Sequence, residues 1–322
     1  MINSIRLRPV EPQKDFGAIA SLLSSQEEEP SSASAVRADY DTHLETLVGL
    51  MVAMDERGEL LGFYWAWHSL VESGQVSFHL LVRPDRRKQG IGRLLYEDLT
   101  QILSRTQVKK VRVNMCEPCA EGLEFSLRRG FYIQRHQIGM ELDLQAFDDR
   151  LYDTFLEHLK SDGFRFTSMA ELCNTPEAQR RLYVLNDSAS ASTPGQEGEH
   201  AWATFEDFQK SVCQSDWYIP AGQIVAIESL SGEWVAMSAI TRMQGREYAY
   251  NLFTGVDLAY RGRKLGQAVK VLALRYAREV IKVGFVRTHH NAQNLPMIAI
   301  DRKFGYRQLP GTFLLEKMID LN

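Results

Sequence analysis

The pattern of apolar and polar positions predicts strands and amphipathic helices in one order that occurs twice along the chain. Predicted strands are mostly apolar or β-prone, and predicted helices carry apolar residues three or four positions apart. In the first half these elements are a strand at 5–9, a helix at 16–24 and strands at 47–54, 60–68, 76–82 and 111–116. In the second half they are a strand at 164–167, a helix at 178–187 and strands at 224–229, 234–242 and 248–256.

The clearest repeat is a segment of strand, basic loop and helix. Its first copy reads VSFHLLVRPDRRKQGIGRLLY at 76–96, and its second reads YNLFTGVDLAYRGRKLGQAVK at 250–270. The copies align without a gap, and a glycine–aromatic pair follows 48 positions after Val82 and 49 positions after Val256. Each helix has one apolar stripe, which we interpret as core. Because both landmarks stay in step, the repeat indicates a duplicated mixed α/β unit.

The length agrees with two domains. A chain of 322 residues is long enough for two domains that each bury a core, at roughly 100–200 residues per domain. We place the boundary near residue 150, which gives domains at 1–148 and 149–322 with a partly helical linker at 145–160. A Ser-, Gly- and Pro-rich stretch at 188–200 has no apolar periodicity and is predicted to be a mobile loop.

Composition limits the classes of function. Hydrophobic residues make up 44% and charged residues 24%, which is typical of a soluble globular protein. The formal net charge of -4 argues against nucleic acid or a membrane surface as a partner. Four cysteines are too few for a disulfide framework, and neither a signal pattern nor a membrane-spanning run is seen, so a cytoplasmic location is expected. Cys116 and Cys119 lack the second pair that a zinc site needs, so no metal is expected.

The loop of the first copy has the chemistry of a phosphate site. The first turn of a helix offers N–H groups without intrahelical acceptors and the positive end of the helix dipole. Glycines let the backbone approach an anion closely, and Arg86, Arg87 and Lys88 add positive charge to an acidic chain. Neither the P-loop pattern nor the dinucleotide fingerprint is present. The combination suits a pyrophosphate.

The loop also resembles a known family motif. RKQGIG at 87–92 resembles the Q/R-x-x-G-x-G/A motif of the GNAT acetyltransferase superfamily, and VRPD at 82–85 is similar to its usual lead-in. The resemblance covers most of the chain and implies α/β (α+β mixed) architecture: two tandem GNAT-like domains, each a mixed, mostly antiparallel sheet flanked by helices. It implies acetyl-CoA as cofactor, with the coenzyme arm between splayed central strands. The residues implied to bind it are Leu80, Val82, Arg87, Lys88, Gln89, Gly90, Ile91, Gly92 and Arg93 in the first copy, and Val256, Arg261, Gly262, Arg263, Lys264, Leu265, Gly266 and Asn294 in the second.

The second copy departs from the motif at one position. RGRKLG at 261–266 has Lys264 where the motif has its central glycine. Lys264 either leaves the loop amides available and adds a cation, or crowds the pyrophosphate and leaves a structural domain. THHNAQNLPM at 288–297 resembles a T-x-N-x-x-N-x-x-M pattern of some tandem GNAT proteins, with Asn291 one place later than expected. By this resemblance Asn294 contacts coenzyme A; its alternative is a helix N-cap.

The reaction that the resemblance implies is direct attack of an amine on the acyl thioester. It needs an N–H group aimed at the carbonyl oxygen, for which the backbone at Val82 or Val256 is the candidate, and a base for the ammonium proton. His79 has a suitable pKa, and its alternative is a hydrogen-bonded core histidine. Glu117, after the strand at 111–116, either orders a water molecule or is an ordinary turn carboxylate.

The general acid and the acceptor side stay open at this stage. Many family members place a tyrosine four residues before the glycine–aromatic pair, where this sequence has Ser126 and Asp301. Tyr250 and Asn251 point to opposite faces of their strand, so one of them faces the cleft. We expect an acetyl-CoA-dependent N-acetyltransferase acting on a primary amine of a small molecule. The alternative is a non-catalytic acyl-CoA-binding or sensor protein with one or both domains degenerate.

Overall fold

A computed structural model gives the fold of residues 5–25, 31–69, 72–195, 197–198, 200–242 and 246–319. The chain divides into two compact units, one made of residues 1–134 with 313–322 and the other of residues 135–312. Each unit has its own run of neighbouring strands, which we call its sheet, and its own hydrophobic core clusters. Among the described residues, no helix combines the length and the apolarity that crossing a membrane requires.

The first unit is a sheet with helices on both faces. Its elements in chain order are β1 (Arg6–Pro9), α1 (Pro12–Ser24), α2 (Ala33–His43), β2 (Leu47–Met54), β3 (Leu60–His68), β4 (Gln75–Val82), α3 (Ile91–Leu103), β5 (Lys110–Cys116) and α4 (Ala120–Leu127). Strands β1 to β5 lie side by side in that order. Neighbours are antiparallel except β4 and β5, which are parallel.

The second unit repeats this arrangement. Its elements are β6 (Tyr132–Asp143), α5 (Asp153–Ser161), β7 (Phe164–Ser168), α6 (Pro176–Ala191), α7 (Phe205–Phe208), β8 (Gln223–Glu228), β9 (Trp234–Arg242), β10 (Tyr248–Val256), α8 (Leu265–Tyr276), β11 (Phe285–Asn291), α9 (Leu295–Phe304) and β12 (Arg307–Met318). The strand order is β6, β11, β10, β9, β8, β7. Only β10 and β11 among these neighbours are parallel.

Strands β6 and β12 each contribute residues to both units. Residues 135–143 of β6 belong to the second unit, where β6 pairs with β11. Residues 313–318 of β12 belong to the first unit, where β12 is the neighbour of β5. This division differs from the predicted boundary at residue 148, because pairing between distant strands decides it. The domains at 1–148 and 149–322 stay a prediction about the folding units.

The predicted fold class is confirmed, since each unit is a mixed, mostly antiparallel sheet flanked by helices. The local assignments differ in several places, and two of these differences have a clear physical reason. Helix α6 runs on to Ala191 because Ala189 packs into the core, so residues 188–191 of the predicted loop are helical. Helix α2 was not predicted, because it buries only Val36 and therefore has no apolar stripe to detect.

Alternate residues of each sheet face different helices. In the first unit, one face packs on α3 and the other on α1 and α2, and we call these the α3 face and the α1–α2 face. In the second unit, one face packs on α8 and α9 and the other on α6, and we call these the α8 face and the α6 face. The side chains named below are placed by these four faces.

Candidate active site

The two parallel central strands of each sheet pair only at one end. β4 pairs with β5 from Gln75 to Ser77, and β10 pairs with β11 from Tyr248 to Tyr250. Beyond these positions β4 stays paired with β3 but not with β5, and β10 stays paired with β9 but not with β11, although every residue of these strands is described. Each sheet therefore opens into a cleft between its parallel strands, as the resemblance implies.

Backbone polar groups of β4 and β10 point into these clefts. The N–H of Arg83 donates to a β3 carbonyl and the N–H of Asp257 to a β9 carbonyl, both at 2.9 Å. Because N–H directions alternate along a strand, the N–H and C=O groups of Leu80, Val82 and Val256 point the other way, toward the cleft. These groups can pair with amides of an extended ligand.

The loops after β4 and β10 share one backbone conformation with two left-handed positions. Glycine and lysine occupy these two positions in opposite order in the two loops. The first left-handed residue is Lys88 (φ 59°) in one loop and Gly262 (φ 79°) in the other. The second is Gly90 (φ 85°) or Lys264 (φ 62°), and it is the N-cap of α3 or α8. Lys264 thus keeps the turn that Gly90 makes, with its side chain exposed. This geometry favours the reading in which Lys264 leaves the loop amides available.

The leading arginine of each loop folds back on the strand before it. The Nε of Arg87 lies 3.4 Å from the carbonyl oxygen of Val82, and the Nε of Arg261 lies 3.4 Å from that of Val256. In the second unit, Arg261 also donates to the carbonyl oxygen of Ser192 at 3.1 Å. Equal contacts in the two units show that the repeat extends to side chains.

An acidic residue lies beside the cations of the first loop. Glu121, in the first turn of α4, is 2.9 Å from the Lys88 ammonium and 3.5 Å from the Arg87 guanidinium. Hydrogen bonding to Lys88 lowers the pKa of Glu121, so the carboxylate is charged at neutral pH. A phosphate bound at this loop would compete with Glu121 for both cations.

The helix that follows each loop presents its first turn. The N–H groups of Ile91, Gly92 and Arg93, and of Leu265 and Gly266, have no upstream carbonyl within their helices. The other loop side chains are engaged locally: Gln89 lies 3.4 Å from a backbone carbonyl of its own loop. The Arg263 guanidinium lies 5.1 Å from the ring centre of Tyr260. The backbone is therefore the part of each loop that is arranged for an anion.

His79 lies on the α1–α2 face within an aromatic cluster. Its ring centre is 5.1 Å from Trp67, which is 6.1 Å from Trp65 and 4.9 Å from His43. Desolvation lowers the pKa of His79, the nearby His43 lowers it further, and Asp39 opposes the shift. The indole Nε1 of Trp65 has no hydrogen-bond partner within the described part of the chain, although the residue is 3% exposed. A neutral imidazole on this face is suited to take a proton from an amine.

Two other predicted residues have structural contacts of their own. Asn294 is the N-cap of α9 and accepts the N–H of Met297 at 3.4 Å, which supports the capping role. Glu117 lies one residue after β5 and is half-buried. Cys116 and Cys119 are both thiols. Contact of Asn294 with a coenzyme and a catalytic role for Glu117 stay predictions.

The position of the usual family tyrosine holds a buried carboxylate in the second unit. Asp301 is fully buried, forms an ion pair with Lys270 and lies 2.6 Å from Nε2 of His290. Burial alone would raise the pKa of Asp301, but Lys270 and His290 outweigh it and lower that pKa. Ser126 is buried at the matching place in the first unit. Asp301 is held in the core, where its proton affinity is too low for a thiol acid.

A tyrosine–histidine pair lies at the base of the second cleft. The Tyr250 hydroxyl contacts Nδ1 of His289, with the rings stacked at 5.7 Å between centres. Asn251 points to the opposite side, where its amide donates to the Ala239 carbonyl at 2.9 Å. Sequence reasoning did not pair Tyr250 with His289, because 39 positions separate them and only the parallel register brings them together.

The family of the first unit follows from comparison with known proteins. Residues 16–123 match the acetyltransferase (GNAT) family, and this range contains the first cleft, its loop and α3. The chain carries a GNAT-family domain. No curated protein sequence is significantly similar to the chain.

Solved structures extend the GNAT fold over both units. A GCN5-related N-acetyltransferase from Sphaerobacter thermophilus superposes with a TM-score of 0.72 at 18% identity, over 98% of this chain and 95% of its own. A tandem GNAT protein from the clavulanic acid biosynthesis pathway superposes with a TM-score of 0.67 at 18% identity, over 98% of both chains. At such identities the likeness concerns the fold. The whole chain therefore has the fold of tandem GNAT proteins.

Proposed function

We propose that the protein is an acetyl-CoA-dependent N-acetyltransferase that acetylates the primary amine of a small molecule. The observation that best supports this is the cleft between β4 and β5, which ends in a basic left-handed loop and a helix N-terminus. Leu80 and Val82 offer backbone groups for the amides of a pantetheine arm. Residues 87–93 offer N–H groups and cations for the pyrophosphate. The small number of cysteines in the sequence supports a cytoplasmic location as part of this proposal.

The α1–α2 face supports the acceptor side of this proposal. When bound, acetyl-CoA supplies an acyl group activated as a thioester. His79 is the candidate base, because a lowered pKa keeps its imidazole neutral and able to accept the ammonium proton. The N–H of Val82, which points into the cleft, is the candidate donor to the oxygen that gains charge during attack. Trp67 lies beside His79 as a flat apolar surface for the acceptor.

A second candidate function is acyl-CoA binding without transfer. The observation that favours it is the absence of a tyrosine at the family's acid position, where Ser126 and the ion-paired Asp301 stand. A thiolate leaving group can still be protonated by water or by another side chain. Turnover with an amine decides between the two functions.

Ligand-induced stabilisation tests the binding part. Saturating acetyl-CoA should raise the melting temperature, because a ligand that binds only the native state adds about 2.7 kcal/mol at 100 times its Kd. Gly90→Glu should weaken this shift by placing an anion where the pyrophosphate binds. Gly58→Glu is the matched control, since Gly58 (φ 80°) and Gly90 (φ 85°) both have open space for a side chain. An equal shift in both variants would argue against the site.

Release of coenzyme A tests the catalytic part. A panel of primary amines, including amino acids, polyamines and amino sugars, is mixed with acetyl-CoA, and the released thiol is measured. We expect at least one amine to raise thiol release above the rate in its absence. Binding of acetyl-CoA without any such increase would support the second candidate function instead.

A further inference from the structure

We infer that Tyr250 and His289 are the proton-transfer pair of a second acyl-transfer centre, built in the second unit. The inference rests on the proposed function, since it assigns a second site for the same reaction class. It concerns residues of β10 and β11, whereas His79 and Glu117 belong to the first unit. The acceptor class is again a primary amine, which must give up a proton as it attacks.

The pair stands where a reacting group would be held. Tyr250 opposes Arg287 in the last parallel pair of the second sheet, so its side chain lies where the cleft opens. Next to it, the register of β10 against β9 shifts between Asn251 and Phe253, which marks a β-bulge. Bulges leave backbone groups unpaired and occur often beside active sites. The loop that holds Lys264 ends the same cleft.

The first unit has no such pair at the matching positions. Ser77 opposes Arg112 in the last parallel pair of the first sheet, so by strand register Ser77 matches Tyr250. The gap-free alignment pairs Val76 with Tyr250, and the extra residue of the β10 bulge accounts for the shift by one. Asn114 stands two residues after Arg112, as His289 stands two residues after Arg287. A serine and an asparagine cannot exchange a proton at neutral pH. The tyrosine–histidine pair is therefore a property of the second unit and no requirement of the shared fold.

The surroundings favour a neutral tyrosine beside a neutral histidine. Desolvation, with a smaller effect of Tyr248, raises the pKa of Tyr250 to about 12. His289 is exposed, and partial desolvation together with the nearby His290 and Arg287 lowers its pKa. At neutral pH the phenol keeps its proton and the imidazole can accept one. This is the protonation state that a relay from an amine to a base needs.

The step is balanced within the pair and the two substrates. The amine nitrogen forms a bond to the acyl carbon while the Tyr250 oxygen takes its proton and passes the phenol proton to Nδ1 of His289. The bond from carbon to sulfur then breaks with its electron pair on sulfur. His289 returns the proton through Tyr250 to the thiolate. One C–N bond forms, one C–S bond breaks, and one proton moves from nitrogen to sulfur.

The test isolates the second unit by disabling the first loop. In a Gly90→Glu chain supplied with acetyl-CoA and the amine panel, the remaining release of coenzyme A comes from the second unit. Adding Tyr250→Phe or His289→Ala should lower kcat by about 10²–10⁴-fold. The shift in melting temperature with acetyl-CoA should persist. Tyr248→Phe, two residues earlier on the same strand, is the control and should keep the rate of the Gly90→Glu chain.

Chemical rescue and pH dependence separate catalysis from support of the fold. Imidazole in solution should restore part of the rate to His289→Ala and none to Tyr250→Phe. The rate should fall as the pH drops through the lowered pKa of His289, below about 6.5, and this limb should vanish in His289→Ala. The charged or titratable groups near the pair are Tyr248 on β10, Arg287 and His290 on β11, and Glu141 on β6, which binds Arg287 at 2.7 Å.

Three results would overturn the inference. An unchanged kcat in the Gly90→Glu, Tyr250→Phe chain would remove the pair from the reaction. Loss of all turnover in Gly90→Glu, with turnover in the wild type, would place the chemistry in the first unit alone and leave the proposed function standing. Absence of turnover in the wild type with every amine would reject the proposed function, and the second centre with it.

Discussion

A left-handed backbone conformation costs a residue with a side chain about 1–2 kcal/mol and costs glycine almost nothing. Each loop has one residue with a side chain in this conformation, Lys88 in the first unit and Lys264 in the second. The glycines Gly90 and Gly262 take the other left-handed position of each loop. The two loops thus reach the same backbone conformation with glycine and lysine in the opposite order, although Lys264 departs from the family motif.

Replacing either lysine by glycine should therefore stabilise the chain. We expect Lys264→Gly to raise the free energy of unfolding by about 0.5–1 kcal/mol, because relief of strain exceeds the added entropy of the unfolded state. Gly90→Ala should lower it by about 1 kcal/mol, although a Cβ there meets no atom within 4 Å. Urea unfolding measures both changes.

A control distinguishes backbone strain from a general effect of glycine. Gly17 lies in α1, where the backbone is right-handed and a Cβ would also have open space. Gly17→Ala should stabilise the chain by about 0.5–1 kcal/mol, opposite in sign to Gly90→Ala. A loss of stability in Lys264→Gly would show that the lysine side chain stabilises its loop by more than the strain costs.

At the scale of elements, the same helix and strand frame carries two different cores. Where the second unit buries the ion cluster of Lys270, His290 and Asp301, the first unit has Tyr96, Met115 and Ser126 at the matching positions of α3, β5 and α4. Buried ion pairs repay their desolvation only when every partner is present. The shared fold therefore accommodates either the complete ion cluster or the complete set of uncharged residues at these three positions.

Breaking the cluster should cost more than replacing it. Lys270→Met should lower the free energy of unfolding by about 3–5 kcal/mol, because it leaves the buried Asp301 carboxylate with one fewer partner. The triple change Lys270→Tyr, His290→Met and Asp301→Ser copies the first unit and should cost less than Lys270→Met alone. Urea unfolding at neutral pH compares them, and a triple variant weaker than the single one would contradict this account.

Asp301 determines how the stability of the fold changes at low pH. Its pKa is lowered in the folded chain, so its contribution is complete above the unfolded pKa of about 3.9 and is lost as the pH falls through the folded value. We expect the wild type to lose more stability than the triple variant when the pH is lowered across this window. Equal losses would show that other carboxylates dominate.

For the whole molecule, the compact units do not follow the order of the chain. Residues 313–319 belong to the first unit, where Leu315 is fully buried and Glu316 is held by Arg112 and by the Tyr132 hydroxyl at 3.1 Å. The N–H of Ile319 donates to the carbonyl oxygen of Lys109 at 2.8 Å. The first unit is therefore complete only when the last strand of the chain is present.

A single change near the end of the chain should loosen the first unit. Leu315→Ala should lower its stability by about 2–5 kcal/mol through lost burial and the cavity that remains. Hydrogen exchange read by mass spectrometry should show faster exchange in β3, β4 and β5, with β8 and β9 unchanged. Faster exchange confined to β8 and β9 would contradict the assignment of this strand to the first unit.

Local pattern was sufficient to predict most elements and the position of the two basic loops. The bounds of β2, β3, β9 and β10 agree with the sequence prediction, because their apolar content and turn residues are local signals. The loop at 87–92 is predicted from its glycines and basic residues, which determine its backbone conformation and its charge. The sequence pattern does not predict helix α2, because its single buried residue gives no apolar periodicity.

The sequence by itself determined two copies of one fold and the place of the basic loop in each copy, since spacing and residue type are properties of neighbouring positions. The tertiary structure alone decided which distant segments meet. It assigned residues 313–319 to the first unit, placed His79 on the α1–α2 face and brought Tyr250 to His289. Pairing of strands far apart in the chain depends on the competition among all possible registers, and no single segment carries that information.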